Sequence, residues 1–127
     1  MTRFLGRYAD IAYALLRIVA GLLFAVHGVQ KVFGVLGGTA MPLTSMPGIA
    51  GVIELVTGIL IAAGLLTSWA AFLASGEMAV AYFMVHAPQG FWPHLNKGEL
   101  AVLYCFLFLY MACRGGGRYA LGRGRLA

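Results

Sequence analysis

Residues 11–33 read IAYALLRIVAGLLFAVHGVQKVF, an apolar run whose strongly polar members are Arg17, His27, Gln30 and Lys31. A helix that crosses a bilayer needs about 20 predominantly apolar residues, and this stretch supplies them. Three further runs follow, at 49–66, 69–86 and 99–113. They account for a composition that is 61% hydrophobic and only 10% charged. Soluble domains carry about 25% charged residues, so the mean hydropathy of +0.88 is that of a membrane protein. At 127 residues the chain has room for one domain, 1–127, built from four short spans. The expected fold is all-α, an integral membrane four-helix bundle. Arg3 and Arg7 ahead of Leu22, Leu23 and Phe24 have the look of a secretory leader, but no A-x-A site follows, and the run is read as a retained helix.

The breaks between the runs are glycine and proline. Gly34, Gly37, Gly38, Pro42 and Pro47 end the first span, and Gly64 to Ser68 forms a tight turn that makes the second and third spans an antiparallel hairpin. The third loop holds Pro88, Phe91, Trp92, Pro93 and His94, a mixture suited to the interfacial belt. With an even number of spans, Arg3, Arg7, Arg114, Arg118, Arg123 and Arg125 lie on one side and Lys31 and Lys97 on the other. The positive-inside rule then puts both termini in the cytoplasm. The net charge of +5 reflects this topology rather than a nucleic-acid surface, because the arginines sit at the two ends and not on one face among aromatics.

Two of the four acidic residues, Glu54 and Glu77, fall inside spans. A carboxylate in hydrocarbon is expensive unless paired, neutralised or hydrated, so each is a candidate for function or for a structural lock. Helical spacing puts Arg17, Gly21, Phe24, Gly28 and Lys31 on one stripe of the first span, with His27 at its edge. Gly51, Glu54, Gly58 and Ala62 share a face of the second, and Ala70, Ala74, Glu77 and Ala81 a face of the third. Small-residue stripes are the surfaces on which membrane helices approach closely, so both glutamates point into the bundle. By depth, Arg17 and Glu77 are expected to form a mid-bilayer ion pair that holds the bundle. Glu54 has Lys31 and His27 as its nearest neighbours in depth.

The orientation gathers the remaining polar residues into the outer half of the membrane. His27, Gln30 and Lys31 end the first span, His86 ends the third, and His94, Asn96 and Glu99 precede or open the fourth. Glu54, His27 and His86 are the expected catalytic groups, because a histidine beside a buried carboxylate can relay protons or hold a carbonyl. Lys31, Gln30, His94, Glu99, Trp92 and Tyr104 are the expected ligand-binding groups around them. Cys105 and Cys113 lie about 12 Å apart along one helix and cannot bridge, and no CxxC is present. The histidines lack metal or haem spacing, and the Arg114-Gly-Gly-Gly-Arg118 run lacks the end of a phosphate loop, reading instead as a flexible flank attracted to anionic lipid.

An ordered set of short motifs, LRIVAG at 16–21, HGVQKVFG at 27–34, ELVTG at 54–58, GLLT at 64–67, Glu77 to His86, GFWP at 90–93 and GELA at 98–101, resembles the DoxX family of small bacterial membrane proteins. The resemblance covers nearly the whole chain. It implies a four-helix membrane protein related to the DoxD subunit of thiosulfate:quinone oxidoreductases, and a theme of quinone-linked redox chemistry or responses to thiol and oxidative stress. The expected role is a quinone- or quinol-interacting subunit that works with a redox protein partner, having no flavin, haem or metal motif of its own, and able to associate as a homo-oligomer. Two alternatives stay open: a small proton or solute carrier, and a structural anchor for a soluble redox enzyme.

Overall fold

The computed structural model describes residues 1–122, so the expected contribution of Arg123 and Arg125 to the charge asymmetry lies outside the described residues. The described residues are helical, with no strand among them. A short helix α1 (Thr2–Leu5) runs through a 3-10 turn, Gly6–Tyr8, into α2 (Ala9–Phe33). After a loop come α3 (Met46–Ala63) and α4 (Thr67–Ala81). The latter continues through a π turn, Tyr82–His86, and a 3-10 turn, Ala87–Gln89. The four-residue α5 (Pro93–Asn96) precedes α6 (Glu99–Arg114).

The helix ends follow local chemistry. Gly34 closes α2 with φ of 68°, a left-handed conformation that favours a residue without Cβ. The second span begins three residues earlier than expected because Ser45 caps it, its Oγ accepting from the Gly48 N–H at 3.2 Å. Pro47 therefore belongs to the first turn of α3, where its missing N–H costs nothing, rather than to the loop. Gly64, at φ of 74°, ends α3 three residues sooner than expected, and Leu66 completes the turn into α4.

Among the described residues, three helical stretches are long and apolar enough to cross a membrane: Thr2–Phe33, Met46–Ala63 and Thr67–Gln89. The fourth expected span, α6, has 16 residues, about 24 Å by helical rise against a hydrocarbon core of about 30 Å. It nevertheless packs along the whole of α4, and its outward side chains, such as Leu103 and Phe106, are about two-thirds exposed.

Packing divides the helices into two close pairs, α2 with α3 and α4 with α6, which meet along a looser α3–α4 seam. The first pair touches backbone to backbone. A Cβ placed on Gly28 would lie 2.4 Å from the Leu55 nitrogen, and one on Gly58 would lie 2.6 Å from the Ala25 nitrogen. Between the pairs sits an aromatic core in which Phe24 of α2 meets Tyr104 and Phe108 of α6, with ring centroids 5.4 and 4.9 Å away. Ser75 ties α4 to α6 by donating to the Cys105 carbonyl at 2.7 Å.

The expected Arg17–Glu77 pair does not form. Arg17, 1% exposed, donates instead to backbone carbonyls: Nε to Ile61 at 2.9 Å, Nη1 to Gly116 at 2.8 Å, and Nη2 to Ala62 at 3.3 Å and Tyr119 at 3.4 Å. Ile61 and Ala62 belong to the last turn of α3, where carbonyls lack helical partners and the macrodipole is negative, so a buried cation is at home there. The same arginine fastens the segment after α6, which is therefore not a loose flank. Tyr13 donates to the Gly115 carbonyl at 2.6 Å, and the Leu121 and Gly122 amides donate to Ala63 and Gly64.

Candidate functional site

The last turn of α2 and the first half of α3 are held together by the glycine contact, so the side chains just above it face each other at close range. Lys31 Nζ lies 2.7 Å from Glu54 Oε1, and Glu54 is 1% exposed. Lys31 reaches this depth because its four-carbon stem lies along apolar surface while its head travels inward. Glu77 of α4 completes the group: its carboxyl lies within the electrostatic reach of both Glu54 and Lys31. The Oε2 atoms of both glutamates are buried without a partner. Fourteen residues separate Arg17 from Lys31, about 21 Å along α2, so Lys31 occupies the place beside Glu77 that the sequence assigns to Arg17.

One ammonium and two carboxyls in a shielded site have a simple consequence. With both carboxyls ionised, the group carries a net negative charge and each glutamate keeps one buried oxygen without a partner. A single proton on either carboxyl removes that net charge.

Lys31 and Glu54 stand in the wall of a cleft of about 300 Å³, lined also by Phe24, His27, His86, Lys97 and Tyr104, while Glu77 faces the other side of the group. His27 meets Tyr104 edge-on at 6.4 Å. His86 stacks on Tyr82, and its Nδ1 lies 3.2 Å from the Asn96 carbonyl. A carbonyl only accepts, so in this contact Nδ1 carries the proton and Nε2 is left for a ligand. The cleft thus combines two titratable rings, two ammonium groups and a carboxylate with aromatic walls.

The cleft excludes some residues that the sequence groups with it. Gln30 turns toward the following loop and donates to the Leu36 carbonyl at 2.8 Å. His94, Glu99 and Trp92 are exposed and take no part in the lining, so Glu99 is not the neighbour of Glu54 that its place in the chain suggests. Lys97, read only as a topology marker, does line it.

Asn96 has a larger structural role than the sequence suggests. It is 2% exposed, and its amide donates to the Gly90 carbonyl at 2.6 Å and to the Tyr82 hydroxyl at 3.2 Å. Its Oδ1 accepts from the Gly98 amide at 2.8 Å. With Tyr82 also donating to the Phe91 carbonyl, this network ties the 87–98 loop to the end of the third span and holds His86. The only advance signal is the asparagine itself, between a proline-aromatic loop and a glycine. Among the described residues, no three His, Cys, Asp or Glu side chains gather where a metal ion could sit.

Helices with outward apolar faces, a charged group centred on the buried Glu54 and a polar cleft at one end define a small helical membrane protein. The DoxX family model matches residues 12–87, and the chain belongs to the DoxX family. It is also similar to an uncharacterized protein of Haemophilus influenzae, 44% identical over 124 residues that cover 92% of each chain. No solved structure matches it.

Proposed function

We propose that this DoxX protein is a quinone- or quinol-binding membrane subunit of a redox system. In this reading one domain of four spans, α6 included, sits in the bacterial inner membrane with both termini cytoplasmic. The observation that carries it is the Lys31–Glu54 pair, with an unpartnered buried oxygen on Glu54 and Glu77 close behind it, opening on a cleft that also holds His27, His86 and Tyr104. A pocket with apolar and aromatic walls and a few convergent polar groups suits a flat ring bearing two oxygens.

Lys31 and Lys97 are donors for a quinone carbonyl, and His86 Nε2 accepts from a quinol hydroxyl. Glu54 and Glu77 hold the exchangeable proton. Reduction of a quinone consumes two electrons and two protons, and the electrons come from a partner redox protein. Tyr104 and Phe24 cover the ring, and the loop fixed by Asn96 keeps bulk water from it.

The test is the affinity of a quinone without an isoprenoid chain for the protein in lipid nanodiscs. Glu54→Gln and Lys31→Met should each weaken binding by about tenfold or more, roughly 1.4 kcal/mol, because each removes a charge-assisted contact. Unchanged affinity in both variants contradicts the reading. A proton-conducting subunit is the second reading, supported by Lys31 standing in the walls of two separate cavities. Proton flux in liposomes that Glu54→Gln abolishes, without quinone binding, favours it.

A further inference from the structure

The looser seam between α3 and α4 leaves a groove of about 970 Å³, roughly three times the volume of the cleft. Its rims are apolar and exposed: Trp69, Phe72 and Val80 on α4 face Ile49 and Ala50 on α3. These side chains belong to the outward surface that a bilayer covers. The groove owes its width to residues that contribute little bulk. Gly76 lies in its wall, and a Cβ added there would meet nothing within 4 Å.

The groove also ends on polar groups. Lys31 and Glu77 stand in its wall, and Lys31, Ala81 and Val85 line the cleft as well. The two cavities are therefore neighbours across the charged trio, one wet and polar, the other apolar and open to lipid. A phospholipid acyl chain alone gains nothing from an ammonium and a carboxyl at the inner end of such a channel. A molecule with a long apolar chain and an oxygen-bearing head matches both.

We propose that the α3–α4 groove is the chain subsite and lateral entry of the same ligand. An isoprenoid or alkyl quinone enters from the bilayer between α3 and α4, its head meets Lys31 and Glu77, and its chain stays along Trp69 and Gly76. This rests on the quinone reading of the cleft. It also gives Glu77 a role the sequence does not suggest, as the carboxyl that the head group meets first, with Glu54 behind it. The chain contributes affinity by packing against the groove more closely than against the lipid it leaves, not by removing apolar surface from water.

The experiment compares a decyl-chain quinone with a chainless one, each referred to its concentration in the lipid phase, by quenching of Trp69 in a Trp92→Phe background. Trp69 lies in the groove and so reports its occupancy. In that background the decyl quinone should bind at least tenfold more tightly. Gly76→Phe, which fills open space, should remove that advantage while leaving chainless binding within about twofold. Ala50→Phe, from the facing wall, should do the same and serves if the first variant folds poorly. Leu103→Phe, on the outward face of α6, should change neither affinity.

An advantage that persists in both groove variants overturns the inference while leaving the cleft reading intact, and it would mean that ordinary lipid fills the groove. A shift to a smaller oligomer in the groove variants, with quinone affinities unchanged, overturns it in favour of a second copy of this chain. Failure of the Trp92→Phe protein and the unsubstituted protein to bind either quinone overturns the cleft reading, and this inference with it.

Discussion

Gly28→Leu should leave α2 and α3 unable to pack. A side chain at this position starts with a Cβ 2.4 Å from the Leu55 nitrogen, 2.5 Å from the Gly51 carbonyl oxygen and 2.8 Å from the Leu55 Cα. All three are backbone atoms in helical hydrogen bonding, so nothing can rotate away. The helices must move apart along their whole contact, which also runs through Gly21 and Gly58. Membrane helices have no hydrophobic drive toward each other, and close packing is what holds them. Overpacking in a tight core costs typically 1–3 kcal/mol and occasionally more, and a leucine against backbone belongs to the upper end, about 3 kcal/mol or beyond.

The expected result is a chain that inserts but unfolds at much lower denaturant in micelles. It should also lose quinone binding, because Lys31, one turn beyond Gly28, no longer meets Glu54. The control is Gly76→Ala, in open space on α4, which should be neutral or stabilising by up to about 1 kcal/mol. Equal behaviour of the two glycine variants contradicts the packing account.

Arg17→Met should be nearly as damaging, and for a different reason. The guanidinium is buried and joins four carbonyls from two distant parts of the chain, the end of α3 and the segment after α6. Among the described residues no carboxylate pairs with it. Its charge is met by carbonyl dipoles at the end of α3 and after α6, where the Ile61 carbonyl has only the Gly64 amide as a further partner. Methionine fills similar space but strands the carbonyls. Removing one side of a buried charged network costs about 3–5 kcal/mol. Arg17→Lys should recover less than half of the loss, since one ammonium cannot span the positions that a planar fork with five donors reaches. Limited proteolysis gives a local readout. The 115–122 segment should become cleavable in Arg17→Met while resisting in the unsubstituted protein. Cleavage at equal rates would mean that Arg17 does not hold it.

Much of the helix arrangement was legible in advance, because it depends on local pattern. Glycine and proline mark the breaks, and helical spacing predicts the stripes of small residues that the α2–α3 contact uses. The error of three residues at the start of α3 came from reading Pro47 as a breaker, when Ser45 before it makes it an ordinary first-turn proline, and the one at its end from Gly64, which stops the helix in a left-handed conformation.

The site was less legible. Depth along a helix placed Lys31 beside Glu54 and misplaced Arg17 beside Glu77, because rise per residue locates a Cα and says nothing of how far a long side chain reaches. Lys31 reaches inward, and Arg17 is drawn to the end of α3. Gln30, His94 and Glu99 share an approximate depth with the cleft but turn elsewhere. Which way a residue in a loop or at a helix end turns is set by contacts such as those of Asn96, formed between residues with no periodic relation.

The central claim is that a quinone head group occupies the cleft beside Lys31 and Glu54. Photolabelling with a quinone carrying a reactive group on its ring tests it most directly, with the protein in native-like lipid and the modified residues mapped by mass spectrometry. The predicted result is label confined to the stretches that line the cleft, around His27–Lys31, His86 and Lys97–Tyr104, displaced by excess unlabelled quinone and lost in Glu54→Gln. Label spread over outward residues such as Leu22 and Phe106, undiminished by competitor, would contradict it.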